Sequence, residues 1–107
     1  MRKVLLLSAA LAVASPALAD EATLQLTLKD HKFSSPETQA PAGKALTLVV
    51  TNQDNTPAEF ESKALRVEKI VPAGGTVTLR VRALAPGRYQ FFDDYHEDTT
   101  SGFVVVK

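Results

Sequence analysis

Polar and apolar residues alternate with a period of two along most of this chain. Leu24, Leu26 and Leu28 alternate with Thr23, Gln25 and Thr27, which predicts a half-buried strand over Ala22–Lys29, with Asp30 and His31 as its edge or turn. Ser34, Ser35 and Pro36 open a loop, and Glu37–Ala40 reads as a short edge strand, since proline is confined to such places. Lys44–Asn52 is rich in Leu and Val and reads as a central strand, entered from the Pro41–Lys44 turn and left through the polar loop Gln53–Pro57. Ala58–Ser62 alternates again, with Phe60 on one side and Glu59 and Glu61 on the other. Lys63–Val67 is ambiguous, Glu68–Val71 reads as a short strand, and Thr76–Ala83 sets Val77, Leu79 and Val81 against Thr78, Arg80 and Arg82. Two last strands, Arg88–Phe92 and Gly102–Lys107, enclose an acidic loop over Asp93–Ser101.

Seven to eight short strands with Pro/Gly turns between them, and no amphipathic helix, predict an all-β sandwich. Its core is expected to take Leu24, Leu26, Leu28, Phe33, Leu46, Leu48, Val50, Phe60, Val77, Leu79, Val81, Tyr89, Phe91, Phe103 and Val105.

The pattern breaks at the start of the chain. Arg2 and Lys3 precede an apolar run over Val4–Val13, and Ala17-Leu18-Ala19 has the form of an export cleavage site. The run falls short of the ~20 apolar residues that span a bilayer. Residues 1–19 are therefore expected to be a signal peptide, residues 20–107 one small domain, and the location periplasmic. The full chain has 12 basic and 12 acidic residues; without Arg2 and Lys3 ten basic remain, a net charge of about −2. No basic patch exists to hold nucleic acid. Cysteine is absent and Met1 is the only methionine, which excludes thiolate chemistry and leaves the fold to rest on its core, with or without a bound ion. Hydrolase chemistry fits poorly, because no serine has a recognisable base partner and no Gly-rich phosphate loop is present.

What remains is a metal-ligand reading. Asp93, Asp94, His96, Glu97 and Asp98 crowd into six positions with no Lys or Arg among them. Glu59 and Glu61 project from one strand face, ~7 Å apart at a rise of ~3.3 Å per residue. Carboxylates with an imidazole suit Cu(II) or iron. His31, at the end of its strand, reads as a surface residue.

The C-terminal element resembles that of the cupredoxins, small Greek-key sandwiches that bind copper. Their aromatic-x-Phe-x-Cys pattern meets Tyr89-Gln90-Phe91-Phe92-Asp93, so Asp93 stands at the cysteine position. His96 matches an imidazole position, Thr99–Ser101 stand where the methionine is usual, and the other histidine falls at about Glu59. A blue copper centre needs the thiolate and the weak thioether, and neither can be supplied. The segments Pro57-Ala58-Glu59-Phe60-Glu61, Arg66–Gly74 and Pro86–Tyr89 further resemble cupredoxin-like periplasmic proteins of bacterial ferrous-iron transport systems, such as the EfeO cupredoxin domain and the FtrB group. That resemblance implies copper or iron binding through a Glu-aromatic-Glu strand, a later glutamate and the C-terminal loop. The expected metal ligands are thus Glu59, Glu61, Glu68, Asp93, His96 and Glu97. It also implies an accessory of ferrous-iron uptake that assists Fe(II) oxidation or delivers iron to a membrane permease or another periplasmic component. A metal-free β-sandwich binding or assembly module, and a periplasmic copper-binding protein, remain as alternatives.

Overall fold

The computed structural model describes residues 21–107; the expected leader lies outside the described residues. Nine strands follow in order: β1 (Glu21–Lys29), β2 (Lys32–Phe33), β3 (Glu37–Ala40), β4 (Ala45–Asn52), β5 (Ala58–Ser62), β6 (Val67–Val71), β7 (Thr76–Val81), β8 (Gly87–Asp93) and β9 (Ser101–Val106). One 3-10 turn, Asp94–His96, sits between β8 and β9. Two sheets form, β2-β1-β4-β7 and β3-β9-β8-β5-β6, with β1 parallel to β4 and β3 parallel to β9. The expected all-β sandwich is thus what the chain adopts, with the two-residue β2 as an added strand. The edge position read for Glu37–Ala40 is the one β3 holds.

Alternation places the core. β4 buries Leu46, Leu48, Val50 and Asn52, and β1 buries Leu24, Leu26 and Leu28. From the other sheet come Phe60, Val71, Phe91, Val104 and Val106. Phe33, Phe60 and Phe91 pack as a trio, edge-to-face at 4.9 Å for Phe33–Phe91 and tilted at 5.2 Å for Phe60–Phe91. Such ring pairs contribute ~0.5–1.5 kcal/mol beyond the area they bury.

β9 corrects the expected core. Val104 and Val106 are buried, whereas Phe103 and Val105 are only half-buried. Gly102 decides this parity, because it lies against the Phe91 ring so closely that a Cβ there would sit 2.7 Å from Cζ. The odd-numbered positions then face outward, where the Arg88 guanidinium covers Phe103 at 4.1 Å from the ring centre. Val77, Leu79 and Tyr89 are partly buried against the core, Val77 and Leu79 because β7 is an edge strand. Leu65 and Leu84, both in connections, are fully buried and were absent from the expected set.

Candidate metal centre

β8 delivers one carboxylate into the sandwich. Phe91 and Asp93 are both inward positions, and Asp93 pairs with Phe60 across the ladder to β5. Asp93 is therefore the last inward position of its strand, with its side chain 2% exposed at the end of the aromatic trio. A carboxylate there needs partners. Its Oδ1 accepts from the N–H of Glu59 at 3.0 Å and of Tyr95 at 3.1 Å, the second of which caps the 3-10 turn. Its Oδ2 lies 3.0 Å from His96 Nδ1.

His96 does not stand alone. The His31 ring lies 4.2 Å from it, centre to centre, tilted by 37°. His31, read from the sequence as a surface residue, thus joins the site across 65 positions of chain. Asp30 and His31 both adopt positive φ, 55° and 58°, in the turn between β1 and β2. Asp54 accepts from the Asp30 N–H at 2.5 Å and the His31 N–H at 2.9 Å, and its Oδ2 is 3.7 Å from His31 Nδ1. The backbone donation from His31 holds the Asp54 carboxyl below its usual range.

His31, Asp93 and His96 each offer a ligand atom, and these lie within 4.8 Å of one another. The 3.0 Å between Oδ2 and Nδ1 is what two donors of one ion show at metal–ligand distances of ~2.0–2.2 Å. The same separation serves as a hydrogen bond between the two side chains, which a bound cation would replace. Two imidazoles and a carboxylate fit Cu(II) or iron without sulfur, and they do not fit a blue copper centre.

The other expected ligands assemble elsewhere. Glu59, Glu61 and Asp94 form a second set of donor atoms within 4.8 Å of one another. Strand parity is the reason: Ala58, Phe60 and Ser62 point inward on β5, so the two glutamates point out. Glu68 stands opposite Glu61 in the β5–β6 ladder. Its hydrogen bond with the Glu59 side chain, with desolvation and neighbouring carboxylates, pushes Glu59 up to about 7. Desolvation, then the charges of Asp94 and Glu68, raise Glu61 as well. Glu97 lines an open cleft with Tyr95, His96, Asp98 and Thr99, and belongs to neither donor set. Of the six expected ligands, Asp93 and His96 therefore stand in one donor set with His31, Glu59 and Glu61 in another with Asp94, and Glu68 and Glu97 in neither.

The two-sheet sandwich with its polar cluster between end loops has the cupredoxin fold. Solved structures agree on the fold. Auracyanin A, a blue copper protein from Chloroflexus aurantiacus, superposes with a TM-score of 0.68 at 15% identity, over 81% of this chain and 99% of that one. Amicyanin superposes with a TM-score of 0.62 at 16% identity, over 79% and 82%. A family model described as "Cupredoxin-like domain" matches residues 3–106, and the chain belongs to that family. An uncharacterized protein of Rickettsia prowazekii is 39% identical over 83 residues, 78% of this chain and 66% of its own length.

Proposed function

We propose that this cupredoxin-like protein holds a copper or iron ion at His31, Asp93 and His96. The observation that carries the reading is the approach of two imidazoles and a buried carboxylate, from the β1–β2 turn and the β8–β9 segment, to within 4.8 Å of one another. A bound Cu(II) or iron ion supplies one-electron redox capacity. The chain's own residues supply the rest: Asp93 anchors one oxygen on backbone N–H groups and presents the other, while both imidazoles are partly open to solvent for ion entry.

In its finer form the proposal is an accessory of ferrous-iron uptake in the periplasm that assists Fe(II) oxidation or hands iron to a membrane permease. The leader-like N-terminus and the Glu59-Phe60-Glu61 resemblance support it. The hard oxygens of Glu59, Glu61, Glu68 and Asp94 suit Fe(III), and a set that prefers the oxidised ion favours loss of an electron from Fe(II).

Titration with Cu(II), Zn(II) and, anaerobically, Fe(II), followed by thermal unfolding, tests the binding. An ion at 100 times its dissociation constant adds ~2.7 kcal/mol. His96→Ala and His31→Ala are each expected to weaken it by at least ~tenfold. No shift with any ion removes the reading. Aerobic Fe(II) oxidation with and without Cu(II) separates oxidation from carriage.

A second reading, a metal-free binding or assembly module, has one observation in its favour. Among the described residues no buried side-chain nitrogen or oxygen lacks a hydrogen-bond partner, so the folded core demands no ion. The same titration decides between the two.

A further inference from the structure

Resting on the reading of His31, Asp93 and His96 as ligands of one ion, we propose that Thr100 and Asp54 are the positioning residues of that centre. Thr100 touches the backbone of all three donors. Its Oγ1 donates to the His31 carbonyl at 2.5 Å, its N–H donates to the His96 carbonyl at 2.9 Å, and its carbonyl accepts from the Asp93 N–H at 3.0 Å. Thr100 is 1% exposed, so these bonds do not compete with water. Two of them are backbone bonds that any residue could make. The third needs the hydroxyl, and it ties the β1–β2 turn to the β8–β9 loop.

Asp54 closes the ring from the other side. It takes both N–H groups of the Asp30-His31 pair, whose left-handed backbone is one that residues with a Cβ rarely adopt. Asp54 is itself placed by buried Asn52, whose Oδ1 accepts from the Asp54 N–H at 2.9 Å. The Asn52 Nδ2 donates to the carbonyls of Thr56 and Val71. The His31 peptide is thus held at its N–H by Asp54 and at its carbonyl by Thr100. With both ends fixed, the backbone that carries the imidazole is held where the ring lies against His96. Fixing a ligand before the ion arrives reduces the ordering that binding must impose, and partners behind the ligands typically govern ~10–100-fold of metal affinity.

The test uses the full chain, copper chloride and a competing chelator, with paramagnetic resonance of the Cu(II) form to count coupled imidazole nitrogens. Thr100→Val removes the hydroxyl and keeps the backbone bonds. It is expected to weaken Cu(II) binding ~10–100-fold and to change the two-imidazole pattern to the one-imidazole pattern of His31→Ala. Thr100→Ser restores both, and Asp54→Ala behaves like Thr100→Val. Circular dichroism checks that each variant is folded; should Thr100→Val not fold, Asp54→Ala and Thr100→Ser carry the decision. Wild-type affinity and nitrogen count in the positioning variants, beside a lost nitrogen in His31→Ala, would overturn the proposal and leave the centre standing. Unchanged binding in both His31→Ala and His96→Ala would instead overturn the centre, and the proposal with it.

Discussion

Replacing Asp93 separates what the carboxylate does for the fold from what it does for an ion. Asp93→Ala leaves the N–H groups of Glu59 and Tyr95 without the acceptor they meet at 3.0 and 3.1 Å. An orphaned, partly buried donor costs ~1–3 kcal/mol. Two of them cost ~2–6 kcal/mol together. For a domain of this size each kcal/mol moves the melting temperature by ~4–8 °C, so the variant should melt at least ~8 °C lower. Asp93→Asn keeps an oxygen where Oδ1 stands and changes only the group facing His96; it should cost ~1 kcal/mol. Both variants should lose Cu(II) affinity by at least ~tenfold. Urea and thermal melts with chelator present, then copper titration, read the two effects independently. An Asn variant as unstable as the Ala variant would show that the cost does not come from the two N–H groups. An Ala variant within ~0.5 kcal/mol of wild type would show that water satisfies them.

Gly102→Ala pushes a methyl to 2.7 Å from Phe91 Cζ and 3.2 Å from the Pro36 carbonyl oxygen; a loss of ~1–3 kcal/mol in a denaturant melt is expected, and an unchanged midpoint would mean the ring moves freely. Glu59, raised from 4.5 to about 7, contributes stability that is complete below about 4.5 and lost as pH rises through about 7. Chelated wild type should therefore lose melting temperature between pH 5 and 8 relative to Glu59→Gln, and equal slopes would contradict the Glu59–Glu68 contact. Asp54, shifted the other way, acts below pH 4 and does not mask this. The Cu(II) form should lack an intense band near ~600 nm, since no cysteine exists to give the sulfur-to-copper transition; its appearance in an absorption spectrum would refute the ligand assignment.

Strands with clean alternation were legible residue by residue. Leu24, Leu26, Leu28 and Leu46, Leu48, Val50 face the core as their spacing requires. Phe103-Val104-Val105-Val106 was not, because an unbroken apolar run carries no phase; a close approach at Gly102 sets it. At the site, the i,i+2 spacing of Glu59 and Glu61 correctly puts both on one face, and Asp93 and His96 lie near each other in sequence. His31 could not be found that way. Its link to His96 depends on how the β1–β2 turn meets the β8–β9 loop, a pairing made by Asp54 and Thr100 far along the chain. The usable signal was Asp30-His31 as a turn pair, since aspartate and histidine are among the residues enriched at positive φ.

The pleat sends the Glu59 side chain away from Asp93, the residue that holds His96. Glu59 alternates with Phe60, and Phe60 faces Asp93 across the ladder, so the Glu59 side chain and the Asp93 side chain leave their strands on opposite faces. Yet the two groups touch through the backbone, because the Glu59 N–H is one of the bonds that hold Asp93. On the proposed reading the outer carboxylates would therefore act on a cation at the histidines as a field instead of as ligands. At a separation of ~10 Å and an effective dielectric of ~20 or more, a single charge is worth at most ~1.7 kcal/mol, and salt screens it over ~8 Å at physiological ionic strength. That is enough to concentrate cations at this end of the sandwich and too little to choose among them. On the proposed reading the choice of ion would fall to His31, Asp93 and His96, whose backbone is held by Asp54 and Thr100.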